Sequence, residues 1–264
     1  MTSGRSGLVL VGLGLYDENG VTVRGLKALQ DADIVFSECY TSKLVPGSIE
    51  RLAALTGKEI GELGRTEVED AKMILDRALD SRVALLVPGD PMTATTHVDL
   101  RLRAHRKGIE TAVINGVSAL TAVPGLLGLQ HYKFGRTTTI PFPAEGYSPT
   151  SPCEVVGENL NRGLHTLVLL DIDAENSNYM TANQGLNLLV DMEKRMVSGV
   201  ITDDTLVCVV ARAGHPDVFV KAGPLRTLRA SDFGPPLHTL VIPGKMHFME
   251  EESLQAFAGL QNPK

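Results

Sequence analysis

Short apolar runs alternate, in the first half of the chain, with stretches whose apolar residues recur at helical spacing. The apolar runs predict strands over residues 7–11, 34–36, 83–87 and 109–114. Runs with so few polar positions are typical of strands that are buried on both faces. Because helices alternate with these strands, the pattern predicts a mostly parallel sheet with helices on both sides.

The helices between these strands have recognisable start signals. Thr22 and Ser48 are each expected to cap a helix. The first of these helices carries Val23, Leu26 and Leu29 on one face.

Three further helices are predicted in this half, one before the strand at 83–87 and two after it. Thr66 and Glu69 match a capping box, in which each side chain bonds to the other residue's backbone N–H. This box predicts a single helix that extends through residue 79. The remaining helices are expected over 96–107 and from the loop at 115–118 up to residue 127.

The regular pattern of apolar and polar residues is interrupted between residues 130 and 152. The stretch 141–152, PFPAEGYSPTSP, contains four prolines and has neither a helical nor a strand period. Such a stretch is typical of a domain boundary or an inter-domain loop. We therefore predict two α/β domains, residues 1–130 and 131–264.

A second set of strands and helices follows this stretch. The predicted strands lie over 164–172, 206–210, 218–221 and 237–242. The third is short and flanked by polar residues, which is compatible with an antiparallel strand. Thr181 and Gln184 match another capping box, for a helix that extends to Val197. The last helix is predicted over 248–257.

Composition and charge argue against several kinds of partner. The formal net charge of −6 disfavours a nucleic acid, which usually binds a basic face. The apolar run over 8–15 is too short to span a membrane, contains Gly12 and Gly14, and has no signal-peptide cleavage pattern after it. We therefore expect a cytoplasmic protein with neither a nucleic-acid nor a membrane partner.

The cysteines and histidines show no metal or disulfide pattern. The three cysteines, Cys39, Cys153 and Cys208, are far apart and form no CxxC pair, which favours a reducing, intracellular setting. His97 and His105 follow no metal-ligand spacing with any cysteine. We therefore expect no metal site.

The most informative turn follows the strand at 83–87. Its sequence, PGDPMTATTH over 88–97, stops the strand abruptly, because the two prolines can continue neither a ladder nor a helix. Ligands of open α/β sheets bind just outside the carboxyl ends of strands, which makes Asp90 a candidate for a binding site. The alternative is a tight turn in which Asp90 and Thr96 are only capping residues.

The first loop, GLGLYD over 12–17, suggests a dinucleotide site, because it follows a strand and precedes a helix. The dinucleotide fingerprint fails, however, since its third glycine would fall at Asp17, whose charge would repel a pyrophosphate. We therefore expect a neutral or cationic ligand here, or only a tight turn.

The remaining candidates are residues at or near the ends of the predicted strands. Several are small or apolar, so that their backbone groups would be exposed to a ligand. Such a site would bind and orient without supplying a nucleophile, which suits group transfer from an activated cofactor. These candidates are Leu15, Asp90, Ser118, Leu170-Asp171, Ala213-Gly214 and His238, the last of which opens its strand.

Eight segments, distributed along nearly the whole chain, match one family in order. They are GLGLYD (12–17), ECYTS (38–42), GDPMTATTH (89–97), YKFG (132–135), LHTLVLLDI (164–172), YMTANQ (179–184), ARAG (211–214) and PLHTLVIPGK (236–245). With them the chain resembles the diphthine synthase family, within the tetrapyrrole-methylase-like, class III S-adenosylmethionine-dependent methyltransferases. GDP alone would indicate only the wider class, whereas YMTANQ and PLHTL are far more specific.

The resemblance implies a two-domain α/β fold, usually a homodimer, with S-adenosylmethionine bound between the domains and released as S-adenosylhomocysteine. Family members repeatedly methylate the amino group of the modified histidine of translation elongation factor 2. Three methyl groups are transferred in the archaeal-type reaction, and a fourth forms an ester in the eukaryotic one. Because the chain has no insertion over 171–179, where eukaryotic relatives carry one, the archaeal type is expected.

The resemblance also implies the residues that contact the cofactor, although it identifies no general base. Relatives often have a histidine near Asn115 and an isoleucine after the serine, so this chain departs from the family there. The rival functions are a corrin or porphyrin methyltransferase, a ligand-sensing protein without catalysis and an NAD-dependent oxidoreductase. The implied contacts are Leu15, Asp90, Thr93, Ser118, Ala119, Leu170, Ala213 and His238.

Overall fold

The computed structural model describes residues 6–38, 40–174 and 176–261. Contacts between residues divide this chain into two compact units. The first unit ends at Ala119 and also includes Ala174 and Asn176, and the second contains the rest. Both units combine a five-stranded sheet with helices, so the predicted α/β class is confirmed.

The first unit contains a parallel sheet with the strand order β3-β2-β4-β1-β5. Its strands are β1 (Gly7–Gly12), β2 (Ile34–Glu38), β3 (Ile60–Leu63), β4 (Arg82–Val87) and β5 (Thr111–Ile114). Its helices are α1 (Val23–Asp31), α2 (Ser48–Thr56), α3 (Arg65–Asp70), α4 (Lys72–Ala78) and α5 (His97–Arg106), and α6 (Ala119–Leu127) begins at the boundary.

Both faces of this sheet are covered, as the apolar runs predict. Along β4, Val83 and Leu85 pack into one apolar cluster with helices α4 and α5. Ala84 and Leu86 point to the opposite face and pack into a second cluster with α1 and α2. Because successive side chains of a strand alternate between faces, only a continuous apolar run can supply both clusters.

The single helix predicted from Thr66 through residue 79 is wrong. Two helices, α3 and α4, meet at Ala71, whose backbone is left-handed with a φ of 58°. At the start of α3 the carboxylate of Glu67 accepts from the backbone N–H of Gly64 at 2.8 Å. The buried side chains of Val68 and Ile74 explain the break, because the kink lets both helices pack on the same cluster.

Other local expectations hold in part. The Thr22 hydroxyl caps α1 by accepting from the backbone N–H of Gly25. Val23, however, is 86% exposed and does not belong to the buried face of α1. Ser48 is the first helical residue of α2 and not its cap, since its hydroxyl donates to the carbonyl of Val45. The short strand β3 was not predicted, because its four residues show no clear period.

The second unit contains a mixed sheet with the strand order β11-β10-β12-β7-β6, in which only the β6–β7 pair is parallel. Its strands are β6 (Thr138–Ile140), β7 (Thr166–Leu170), β10 (Leu206–Ala211), β11 (Phe219–Pro224) and β12 (His238–Ile242), and the hairpin β8 (Ile172–Asp173) and β9 (Asn178–Tyr179) is separate. Its helices are α7 (Ser151–Asn161), α8 (Ala182–Met196), α9 (Leu225–Leu228) and α10 (Phe248–Ala258).

Several expectations for this unit are corrected. The stretch 141–152, interpreted as a boundary or inter-domain loop, ends inside α7, which begins at Ser151, and the preceding strand β6 was not predicted. Contacts divide the chain after Ala119, whereas the sequence placed the boundary after residue 130, and Gln130 already donates its backbone N–H to Glu250 of the second unit. The predicted strand 164–172 is split between β7 and β8. Val197 is not on the buried face of α8 but is its exposed, left-handed C-cap.

The structure also bears on the expected partners and cysteine chemistry. Among the described residues, no helix has both the length and the apolarity needed to cross a membrane. The same residues contain no group of three histidine, cysteine or acidic side chains that could hold a metal ion. Cys153 and Cys208 are free and buried. Cys39 lies outside the described residues.

A buried ion cluster joins α10 to the loops of the second unit. The carboxylate of Glu250 is fully buried and accepts from Lys133 Nζ and, at 2.9 Å, from His165 Nε2. His165 Nδ1 in turn accepts from the backbone N–H of Gly244. Lys133, His165 and Gly244 all lie in the segments that resemble diphthine synthase. Their role in this chain is structural, because they hold α10 in place.

Substituting Glu250→Gln is expected to lower the free energy of unfolding by about 3 kcal/mol, since it leaves Lys133 without its buried counter-charge. Burial raises the pKa of Glu250, but hydrogen bonds, chiefly from Lys133, outweigh it and lower the pKa to about 2. The carboxylate therefore stabilises the folded state above its unfolded pKa and loses this effect as the pH falls toward 2.

Urea unfolding of wild type and variant at several pH values tests this expectation. The difference in stability should be largest near pH 7 and should shrink as the pH falls from about 5 toward 2. Glu251→Gln, an exposed neighbour on the same helix, is the matched control and should change stability by less than about 0.5 kcal/mol. A pH-independent difference would contradict the assignment.

Candidate functional site

The chain leaves β1 and β4, which are neighbours in the first sheet, in opposite directions along the strand order. β1 connects to β2 on one side, and β4 connects to β5 on the other. In open α/β sheets ligands bind outside the carboxyl ends of strands at such a point. The loops that follow β1, β4 and β5 therefore form the candidate site of the first unit.

Glycine backbones bring these three loops into direct contact. The backbone N–H of Gly89 donates to the carbonyl of Gly14 at 2.6 Å, and Gly14 donates back at 3.1 Å. A Cβ atom on Gly116 would lie 2.2 Å from the carbonyl oxygen of Gly89. One on Gly12 would lie 2.4 Å from the backbone nitrogen of Gly116. No side chain fits at these positions, so the loops can approach this closely only with glycine there.

Asp90 connects the central turn to the loop after β5. Its Oδ1 accepts from the backbone N–H of Met92 at 2.9 Å and from the hydroxyl of Thr93 at 3.1 Å. Its Oδ2 accepts from Asn115 Nδ2 at 2.9 Å and from the backbone N–H of Gly116 at 3.2 Å. The carboxylate therefore directs its hydrogen-bonding capacity largely at its own unit, where it holds the two loops together.

The charge of Asp90 is stabilised by these bonds. Burial raises the pKa of this carboxyl group, but the hydrogen bonds from Asn115, Met92, Thr93 and Gly116 outweigh it and hold the pKa below its usual value. The departure of this chain from the family pattern at Asn115 thus places a neutral donor on the carboxylate. Asp90 is a permanent anion near neutral pH.

The structure brings the five predicted residues of the first unit to one edge of its sheet. They are Leu15 after β1, Asp90 and Thr93 after β4, and Ser118 and Ala119 after β5. Thr96 is the N-cap residue of α5, but its side chain makes no capping hydrogen bond, so that expectation is wrong. Asp17 caps the short 3-10 helix Glu18–Gly20 by accepting from the backbone N–H of Asn19.

The three predicted residues of the second unit also share a sheet edge. His238 at the start of β12 pairs with Ala211 at the end of β10, and Thr239 pairs with Leu169 of β7. Leu170, the last residue of β7, and Ala213, two residues after β10, therefore lie at the same sheet edge as His238.

The His238 ring is occupied by hydrogen bonds within its own unit. Its Nδ1 accepts from the backbone N–H of Ala182 at 2.9 Å, at the start of α8. Its Nε2 donates to the carbonyl of Pro235 at 3.1 Å. Burial lowers the pKa of His238, which favours this neutral form. His238 therefore offers a ligand its backbone groups and not its ring.

Arg212 also belongs to this edge, although no pattern in the sequence predicted a role for it. Its guanidinium donates to the carbonyls of Phe233 at 2.8 Å, Pro235 at 2.9 Å and Asp217 at 3.2 Å. Its backbone is left-handed, with a φ of 56°, directly before Ala213. Arg212 thus ties the turn containing Ala213 to the segment that precedes β12. The only signal in the sequence was its place in ARAG.

Comparison with known proteins identifies the class. Residues 7–229 match the model of the Tetrapyrrole (Corrin/Porphyrin) Methylases, and the chain belongs to this family and is a methyltransferase.

Within the family the chain groups with the diphthine synthases. It is 48% identical over 252 residues to the diphthine synthase of Methanothermobacter thermautotrophicus, covering 96% of each chain. It is 47% identical to that of Methanocaldococcus jannaschii, covering 94% of this chain and 97% of the relative. A crystal structure of diphthine synthase superposes with a TM-score of 0.88 at 39% identity, covering 96% of each chain.

Substituting Gly116→Ala is expected to destabilise the first unit by about 3 kcal/mol, the upper part of the usual range, because the new Cβ atom would collide with backbone and not with a flexible side chain. Chemical unfolding monitored by circular dichroism measures the effect. Gly125→Ala in α6 is the matched control, since a Cβ atom there meets nothing within 4 Å. It should leave stability unchanged or raise it by up to about 1 kcal/mol. Equal stability of both variants would contradict the close approach of the loops.

Proposed function

We propose that the chain binds S-adenosylmethionine and transfers its methyl group repeatedly to the amino group of the modified histidine of translation elongation factor 2. The observation that carries this proposal is the 48% identity, over 96% of both chains, to a diphthine synthase. The chain acts as a methyltransferase in diphthamide biosynthesis. The proposal adds the cofactor, the protein substrate and the residues that hold the cofactor.

The edge of the first sheet suits this cofactor chemically. The mutual backbone hydrogen bonds of Gly14 and Gly89 hold the loops after β1 and β4 together, which fixes the residues that follow them in position for a ligand. Asp90 and Asp17 give this edge a negative charge, which favours a ligand with a positively charged sulfonium centre over a pyrophosphate. S-adenosylmethionine supplies, when bound, a methyl group on that centre.

The proposed contacts are the eight residues that the family resemblance implies, and they act by holding and orienting. In the first unit Leu15, Thr93, Ser118 and Ala119 supply contacts around Asp90, which keeps the loops in place. In the second unit Leu170, Ala213 and His238 supply the remaining contacts from the other sheet edge. None of these side chains is placed as a nucleophile, which fits a direct, in-line transfer to an amine without a covalent enzyme intermediate.

Substituting Asp90→Ala is expected to weaken binding of S-adenosylmethionine roughly tenfold or more, because it removes the carboxylate that holds the central turn to the loop after β5. Each hydrogen bond to a charged group that is lost there costs roughly 1.5–3 kcal/mol. Isothermal titration calorimetry measures the affinity. Asp80→Ala, an exposed aspartate in a turn of the same unit, is the control and should bind as wild type does. If Asp90→Ala binds within about threefold of wild type, the assignment of the central turn is wrong.

Transfer of a labelled methyl group tests the function itself. We expect label on elongation factor 2 that carries the unmethylated histidine intermediate, and none on uroporphyrinogen or precorrins. The reverse result would assign the chain to the tetrapyrrole branch of its family. Mass spectrometry of the product distinguishes the three methyl groups of the archaeal-type reaction, which we propose, from four.

We further propose that the chain works in the cytoplasm as a homodimer, as the resemblance to diphthine synthases implies. Its substrate is a translation factor, which supports the location. The net charge of −6 supports a protein partner more than a nucleic acid.

A further inference from the structure

Transfer of a methyl group to an amine requires that the amine first lose a proton. Asp90, the carboxylate among the proposed cofactor contacts, already accepts four hydrogen bonds from its own unit. A buried carboxyl group in the first unit has the chemistry for this role. Glu38, the last residue of β2, is fully buried. It accepts from the backbone N–H groups of Tyr40 and Thr41, each at 3.1 Å, and from the hydroxyl of Thr41.

Glu38 lies at the same sheet edge as the central turn. β2 runs parallel to β4, with Ser37 opposite Leu86, so the two strands end side by side. Glu38 is therefore next to the point where the chain enters the turn of Asp90. The segment that begins with Glu38, ECYTS, resembles diphthine synthases, but none of its residues is among the proposed cofactor contacts.

The surroundings of Glu38 contain further titratable groups. From the start of α5, the buried His97 donates from Nδ1 to the carbonyl of Pro91 at 2.9 Å, while its buried Nε2 has no partner among the described residues. From α3, Arg65 and Glu69 face the neighbouring Tyr40, with Arg65 5.1 Å from the centre of its ring. Among the residues that the structure describes, no lysine or arginine forms an ion pair with Glu38.

These surroundings make Glu38 a better proton acceptor than an exposed glutamate. Burial raises the pKa of Glu38 above its usual value, although hydrogen bonds from Thr41 and Tyr40 and the nearby His97 oppose the rise. A buried carboxyl group without an ion-pair partner costs stability, and such groups are concentrated at functional sites.

We propose that Glu38, acting through the hydroxyl of Thr41, accepts the proton that the substrate amine loses before each methyl transfer. Glu38 itself is closed to solvent, whereas Thr41 is half-buried, so the hydroxyl is the part of this pair that a substrate can reach. The inference rests on the proposed function, because it requires an amine as the methyl acceptor.

Each round moves one proton and one methyl group. The proton of the ammonium group passes to Thr41 Oγ1 while the hydroxyl proton passes to Glu38 Oε1, which becomes a carboxylic acid. The freed amine lone pair then forms the new N–C bond, and the electron pair of the broken C–S bond stays on sulfur. Glu38 returns its proton to solvent through the same hydroxyl before the next round.

Glu38→Gln tests this relay, because it keeps the size of the side chain but cannot take up the proton. Single-turnover transfer of labelled methyl to elongation factor 2 should slow by about 10²-fold at pH 7. The ratio of wild-type to variant rate should shrink as the pH rises to 9, since unprotonated amine then becomes abundant without help. A purely structural role would give a ratio that does not depend on pH.

Variants of Thr41 and a control carboxylate complete the test. Thr41→Val should slow transfer comparably, whereas Thr41→Ser, which keeps the hydroxyl, should stay within about fivefold of wild type. Glu62→Gln removes an exposed carboxylate from the adjacent strand β3 and should leave the rate and its pH profile unchanged. Calorimetry should show that all four variants bind S-adenosylmethionine within about threefold of wild type.

The outcomes separate the two proposals. If wild type methylates elongation factor 2 but Glu38→Gln does so at the same rate and with the same pH profile, the relay alone is overturned. If Glu38→Gln loses cofactor binding in proportion to its rate, or if Thr41→Ser fails like Thr41→Val, Glu38 is structural and the relay is again overturned. If wild type transfers no methyl group to elongation factor 2, the proposed function fails and the relay with it.

Discussion

The close approach of glycine backbones at the carboxyl ends of β1, β4 and β5 is the constraint on which the site of the first unit depends. Gly89 is hydrogen-bonded to Gly14 and packs directly against Gly116. A Cβ atom on Gly116 would collide with the carbonyl oxygen of Gly89. Asp90 stabilises this arrangement electrostatically, since its carboxylate accepts from the loop that contains Gly116. Because the loops are held by backbone contact and one buried anion, their exposed groups are already ordered before a ligand arrives.

In the second unit, polar side chains hold the corresponding loops in place. Arg212 donates to three carbonyls, and His238 accepts from the backbone N–H of Ala182 at the start of α8 and bonds to Pro235. The segments ARAG, PLHTL and YMTANQ are thereby joined in one hydrogen-bonded network. At another place in this unit, Glu250 and His165 anchor the last helix. Much of what makes the chain resemble diphthine synthases is therefore scaffold for the site. Substitution of these residues would act through position and stability more than through direct contact with a ligand.

Local patterns predicted the parts of the fold that depend on local physics. The apolar runs placed β1, β4, β10 and β12 within a residue or so of their observed ends, because burial on both faces leaves no polar position in a strand. The cap by Thr22 and the capping box of Thr181 with Gln184 formed as expected, since each needs only a turn of helix. The site candidates at the strand ends followed from the same reasoning and from the family resemblance.

The sequence by itself thus determined the class of fold, the sheet edges where the candidate residues lie and the family of the chain. Tertiary structure alone decided the break at Ala71, the pairing of β6 with β7 and the packing of Gly116 on Gly89. It also decided that Glu38 would be buried and that both ring nitrogens of His238 would form hydrogen bonds within its own unit. These features join residues that are distant in the chain, and no local period or cap carries information about such contacts.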